Sequence, residues 1–118
     1  MFQDKRRGDV YWLNAPDPKP GSFLIGKSRP ALVVSSDQAN ASSRTIIVVP
    51  ITGSKEQLAR GDGTFDMVRL DGYTQEPNMV LTRQVHAVDA SDLDSFCYHL
   101  TDLDMARVDA ALYRAFGL

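Results

Sequence analysis

The chain has 118 residues, 43% of them hydrophobic and 24% charged, and carries a formal net charge of −2. That is enough for one packed domain over 1–118, and its aliphatic runs, such as Ile46 to Val49, are far too short to cross a bilayer. The single cysteine, Cys97, excludes an intrachain disulfide and a cysteine metal cluster, and the charged N-terminus has no apolar segment of a secretory leader behind it, so a cytoplasmic location is expected.

The charge is uneven. Residues 1–60 hold nine Lys/Arg and five Asp/Glu, whereas residues 61–118 hold four and ten. A basic first half can supply a phosphate-binding face within an acidic protein. In chain order, Gly8 to Leu13 is rich in β-branched and aromatic residues and reads as a strand. Asn14 to Ser28 carries three prolines and two glycines and reads as a long loop, a kind of segment that is often functional. Arg29 to Ser35 is the second strand, with Pro30 suited to a strand start. Asp37 to Ser43 reads as polar turn material. Arg44 to Ile51 is a nearly continuous apolar run, as expected of a strand buried on both faces.

A second loop is expected from Thr52 to Gly63. Phe65, Met67, Val68 and Leu70 mark a strand that stops at the turn dipeptide Asp71-Gly72. Met79 to Val88 reads as one strand, bent or straight, with Arg83 and Gln84 near its middle. Asp89, Asp92 and Asp94 look like a solvated turn. Phe96 to Leu100 is read as a short strand, with Cys97 as a small buried hydrophobe and His99 in a structural role. Thr101 is an N-cap followed by Asp102 and Asp104. Met105, Val108, Leu112 and Ala115 or Phe116 then form one apolar stripe, and Gly117 ends the helix. A run of strands followed by a terminal helix indicates a small β-barrel with helical decoration.

Familiar chemical signatures are missing. There is no phosphate-binding P-loop and no dinucleotide glycine pattern. His86 and His99 lack zinc-type partners, and the Asp89–Asp94 carboxylates lack the calcium-loop pattern. No metal and no cofactor are expected. What remains is a set of polar residues at strand ends beside the long loops, Arg29 and Thr52 above all. A rigid sheet positions such residues well for binding.

Four segments in order carry a resemblance over nearly the whole length. They are Arg7-Gly8-Asp9-Val10-Tyr11-Trp12, Gly26-Lys27-Ser28-Arg29-Pro30-Ala31-Leu32-Val33-Val34, Val49-Pro50-Ile51-Thr52, and Val80 to Asp89. Together they resemble the MazF/PemK/Kid family of toxin–antitoxin ribonucleases. The resemblance implies a mainly β chain with a terminal α-helix, an SH3-like small β-barrel and a homodimer. It implies sequence-selective cleavage of single-stranded RNA, and restraint by a cognate antitoxin whose acidic disordered tail fills the RNA groove. The family's catalytic arginine and threonine fall on Arg29 and Thr52. Lys19, Ser22, Lys27, Lys55, Arg83, Gln84 and His86 are the expected RNA-binding set. The chain also departs from the family's pattern. The carboxylate that one branch carries before the strand glutamine is Arg83 here, and the Arg-x-Asp pair of the Kid-like branch is Leu81 and Arg83. His86 replaces the family's usual arginine.

RNA brings its own nucleophile, the 2′-OH. Arg29 suits the grip on two phosphate oxygens, and Thr52 suits a hydroxyl hydrogen bond to the same group. Neutral histidine is the obvious proton acceptor near pH 7. His86 is the one candidate of that kind, and the sequence assigns no base. Two other readings stay open, a CcdB-like toxin directed at gyrase and a catalytically silent RNA- or protein-binding barrel. The Arg29-Pro30 and Pro50-Ile51-Thr52 signatures favour the ribonuclease.

Overall fold

Short apolar segments along the chain pair into one antiparallel sheet. The computed structural model describes residues 4–14, 28–53 and 67–118. Its strands are β1 (Asp9–Leu13), β2 (Arg29–Val33), β3 (Thr45–Thr52), β4 (Met67–Leu70), β5 (Asn78–Leu81), β6 (His86–Asp89) and β7 (Leu93–His99). A short helix α1 (Asp37–Ser42) lies between β2 and β3, a 3-10 turn (Ala90–Asp92) between β6 and β7, and helix α2 (Asp102–Phe116) closes the chain. The strand path is β4-β5-β3-β2-β1-β7, with β6 also on β3.

Strand β3 is the hub. One of its edges pairs β2 through Ala31–Pro50, Leu32–Val49 and Val33–Val48. Its other edge pairs β6 over Thr45–Val48 and β5 over Ile51–Thr52. A 3-10 turn then carries the chain from β6, which pairs β3, to β7, which pairs β1. This is the SH3-like architecture, mainly β with a terminal helix.

The two faces of the sheet bury different cores. Val10, Leu32, Val49, Ile51, Val68, Leu70 and Val80 pack with Leu100, Met105, Val108 and Ala111, so α2 covers one face. Leu13, Ala31, Val33, Ile46, Val48, Ala90 and Leu93 fill the other. Helix α2 starts as its sequence dictates. Thr101 Oγ1 accepts from the backbone N–H of Asp104 at 3.2 Å, and Gly117 adopts φ +73° to close the C-terminus.

Several expectations need correction. Asp37 to Ser42 is a helical turn and a half, because Ser36 caps it by accepting from Ala39 N and Asn40 buries its amide against the Ser35 carbonyl at 3.1 Å. The expected strand from Met79 to Val88 is two strands with a turn between them. Strand β7 begins at Leu93, three residues before the expected start, and Cys97 is exposed on this edge strand. On α2, Ala111 is buried and Phe116 is 60% exposed, so the core stripe leaves Phe116 outside. Asp89, Asp92 and Asp94 are exposed, and Asp89 caps the 3-10 turn through Ser91 N. His99 has the structural role expected of it, bonding Asp9 through Nδ1 at 2.7 Å.

Candidate active site

The candidate site grows out of a proline. Val34 N donates to Ile47 O at 2.9 Å, so odd-numbered backbone groups of β3 face β2 and even-numbered ones face β5 and β6. Pro50 therefore points its missing donor at the β5/β6 side. On that side the register changes. Thr52 pairs with Met79 on β5, whereas Val48 pairs with His86 on β6. Relative to a continuous ladder, three extra residues are inserted opposite Pro50. They form the turn at Thr82, Arg83 and Gln84, where Gln84 N donates back to Leu81 O at 3.1 Å. A bulge here strands no β3 N–H, because proline has none.

Arg29 and Thr52 stand at the adjacent ends of the antiparallel strands β2 and β3. Pairing of β2 with β3 runs through Ala31–Pro50. The pairing stops there; Arg29 lies two residues before Ala31 and Thr52 two residues after Pro50, where β3 goes on to pair β5. By strand alternation Arg29 falls on the face of Ala31 and Val33, and Thr52 on that of Val48. Arg29 also pairs Leu13 of β1. Thr52 is buried, at 4% exposure. Arg29 is half-buried, and loss of water pulls its guanidinium below its ordinary pKa. A cation disfavoured by desolvation gains when an anion docks on it.

Arg83 and Gln84 lie on the turn, not in the middle of a strand as the sequence suggested. Arg83 is exposed and Gln84 half-buried. Both therefore sit beside Pro50, two residues from Thr52. His86 is further away. Its partner Val48 is four residues from Thr52, roughly 13 Å along a strand, and its Nε2 is buried with no partner among the described residues. The fold thus places Arg29 and Thr52 at adjacent ends of β2 and β3, sets Arg83 and Gln84 on the turn beside Pro50, and leaves His86 further along β6. Ser22, Lys19, Lys27 and Lys55 lie outside the described residues. Among the described residues, no group of three or more His, Cys, Asp or Glu is placed to hold a metal ion. No described helix is long and apolar enough to cross a membrane.

Sequence reasoning missed how the first signature works. Arg7 forms an ion pair with Asp109 of α2 and donates from Nε to Val34 O at 2.9 Å. Gly8 takes φ +95° beneath the His99 ring. Asp9, 3% exposed, accepts from Arg6 N at 2.9 Å and from Tyr11 OH at 3.2 Å, and bonds His99. The Arg-Gly-Asp triplet is a clasp that joins β1, β7 and α2. Only the three-dimensional contacts reveal that.

Comparison with known proteins agrees with this fold. The family described as PemK-like, MazF-like toxin of type II toxin–antitoxin system matches residues 6–116. An endoribonuclease MazF of Staphylococcus saprophyticus is 29% identical over 113 residues, covering 96% of this chain and 92% of its own. Among solved structures, an endoribonuclease from a mycobacterial species superposes with a TM-score of 0.77 at 18% identity, covering 100% of this chain and 97% of that one. A mycobacterial endoribonuclease in complex with its cognate antitoxin gives 0.76 at 19% identity, covering 98% and 97%. The chain belongs to the PemK-like, MazF-like toxin family of type II toxin–antitoxin systems.

Proposed function

We propose that this chain is an endoribonuclease toxin, one domain over 1–118, acting in the cytoplasm as a homodimer on single-stranded RNA. The observation that supports the reading is that the half-buried Arg29 begins β2 and the buried Thr52 ends β3, the two strands being paired antiparallel, within a family of endoribonuclease toxins. Arg29 grips two non-bridging phosphate oxygens, and Thr52 donates its hydroxyl to the same phosphate. The RNA 2′-oxygen attacks phosphorus and loses its proton, the bond from phosphorus to O5′ breaks, and O5′ takes up a proton. The products are a 2′,3′-cyclic phosphate and a 5′-OH. Two preorganised donors of this kind contribute roughly 10²–10³ each in rate. Arg83 and Gln84, on the turn beside Pro50, and His86, further along β6, contact the RNA, together with Lys19, Ser22, Lys27 and Lys55.

The mycobacterial relative bound to its antitoxin supports control by a cognate partner. An acidic, disordered antitoxin tail would occupy the RNA groove here. The decisive experiment is digestion of a long RNA by the purified protein, with cut sites mapped and ends analysed. Folded Arg29→Ala and Thr52→Ala proteins are expected to lose cleavage and growth inhibition. Near-wild-type cleavage by folded Arg29→Ala protein would overturn the site. Trapping of gyrase on DNA without RNA cleavage would favour the gyrase-directed reading instead.

A further inference from the structure

On the sheet face that carries Arg29, one large aromatic side chain is left in solvent. Phe96 of β7 is 57% exposed, and it pairs with Tyr11 of β1. Along β1 the next residue on that face is Leu13, which pairs with both Arg29 and Leu93. Leu13 and Leu93 belong to the buried core of this face, so Phe96 stands at its open margin. From Arg29 to Phe96 the path is two strand spacings and two residues, roughly 12 Å.

The ring is propped. Tyr11 and Phe96 meet edge to face, with centroids 5.6 Å apart and planes at 72°. That arrangement leaves a face of Phe96 open whichever ring supplies the edge. Tyr11 is fixed in turn by its hydroxyl, which donates to the buried Asp9 at 3.2 Å. Burial and the Asp9 charge push the Tyr11 phenol up to about 12, so it remains a neutral donor at working pH. Lys5 holds its ammonium 5.2 Å from the Tyr11 ring centroid. An exposed ring whose aromatic neighbour Tyr11 carries a cation over it, on the face of a half-buried arginine, matches what an unpaired nucleotide needs. The base has a surface to stack on, and its phosphate has a counter-charge.

We propose that Phe96, backed by Tyr11, is a stacking subsite for an unpaired RNA base flanking the nucleotide held at Arg29 and Thr52. The inference rests on the endoribonuclease reading above and adds a substrate contact to it. Phe96 acts in binding and takes no part in bond breaking. A stacked base holds the strand across β1 equally in the ground state and the transition state, so it contributes uniform binding. Stacking is tolerant of base identity, so this subsite supports affinity and leaves the choice of cut sequence to other residues.

The test uses the full chain and a fluorescein-labelled single-stranded RNA spanning a mapped cut site. Cleavage kinetics are read on the all-RNA strand, and binding on the same strand with a 2′-deoxy nucleotide at the cut. Phe96→Ala is expected to raise KM and Kd by about 5- to 100-fold, the loss of one base stack, with kcat unchanged. Phe96→Trp is expected to restore both. Walking one abasic nucleotide along the strand is expected to find a position that weakens wild-type binding and leaves Phe96→Ala binding unaltered. Light scattering of each variant accompanies the kinetics. If Arg29→Ala is inactive while Phe96→Ala binds and cleaves like wild type, the stack is wrong and the ribonuclease reading stands. If Phe96→Ala shifts to a smaller mass, the patch is an interface between two copies, and the subsite is overturned. If the wild-type protein neither binds nor cuts single-stranded RNA, both readings fall.

Discussion

Gly8 has the tightest sequence requirement among the described positions. Its φ of +95° is a region that residues with a side chain rarely adopt. A Cβ there would lie 3.0 Å from His99 Cε1 and 3.5 Å from Met105 Cγ. Gly8→Ala is expected to cost about 1–3 kcal/mol from backbone strain, with a further loss from the His99 contact. Urea unfolding of Gly8→Ala, His99→Ala and the double variant separates the two parts. The double variant should be more stable than the sum of the single losses predicts, because removing the ring removes the collision. Strict additivity would show that the ring plays no part. His99 was legible in the sequence as structural from its place between Tyr98 and Leu100. The glycine's role was not, since its partner is ninety-one positions away along the chain.

Among the elements, α2 shows how a side chain from a distant turn fixes a helix start. Tyr73 lies in the β4–β5 connection. Its hydroxyl donates to Asp104 Oδ2 at 2.6 Å and accepts from Thr101 N at 2.9 Å, while its ring stacks on Tyr98 with centroids 4.9 Å apart. Partial burial pushes the Asp104 carboxyl up, but the hydrogen bonds from Tyr73 and Arg107 outweigh it and hold the group below the usual carboxylate value. A depressed folded-state pKa gives stability that is present above the unfolded value, about 3.9, and is lost as pH falls through the folded one. Wild-type melting temperature should therefore fall as pH drops below about 4, and the fall should be shallower in Asp104→Asn. Parallel acid profiles would rule this link out. The cap itself was readable in Thr101-Asp102-Leu103-Asp104, because capping is local chemistry. The break between β5 and β6 was not. Met79 to Val88 has the composition of one strand, and only the lack of an N–H on Pro50, in a neighbouring strand, makes a three-residue insertion cheap at that point. The exposure of Cys97 was equally hidden, since strand periodicity cannot tell an edge from a centre.

The whole chain poses a problem of size and charge that pairing and partner binding would solve together. A barrel with one terminal helix has a modest core, and a second copy would add buried apolar surface. Closed two-fold dimers are the commonest solution. The chemistry proposed for Arg29 and Thr52 needs only the phosphate and the RNA's own 2′-OH, so cleavage is expected to persist in excess EDTA. Loss on chelation with recovery on adding magnesium would point to another nuclease class. The net charge of −2 conceals a basic first half, and Arg29 lies in it at the mouth of the site. A groove that draws RNA phosphates draws acidic side chains by the same field, and a disordered acidic segment can cover a large area as it orders. An acidic antitoxin peptide is therefore expected to raise the KM for RNA without changing kcat, with a Kd that weakens as salt is added. Arg29→Ala should weaken peptide and RNA binding alike. Light scattering that shows a fully active monomer at micromolar concentration would reject the dimer. A peptide that binds tightly while RNA is bound and cut at the normal rate would reject the shared groove.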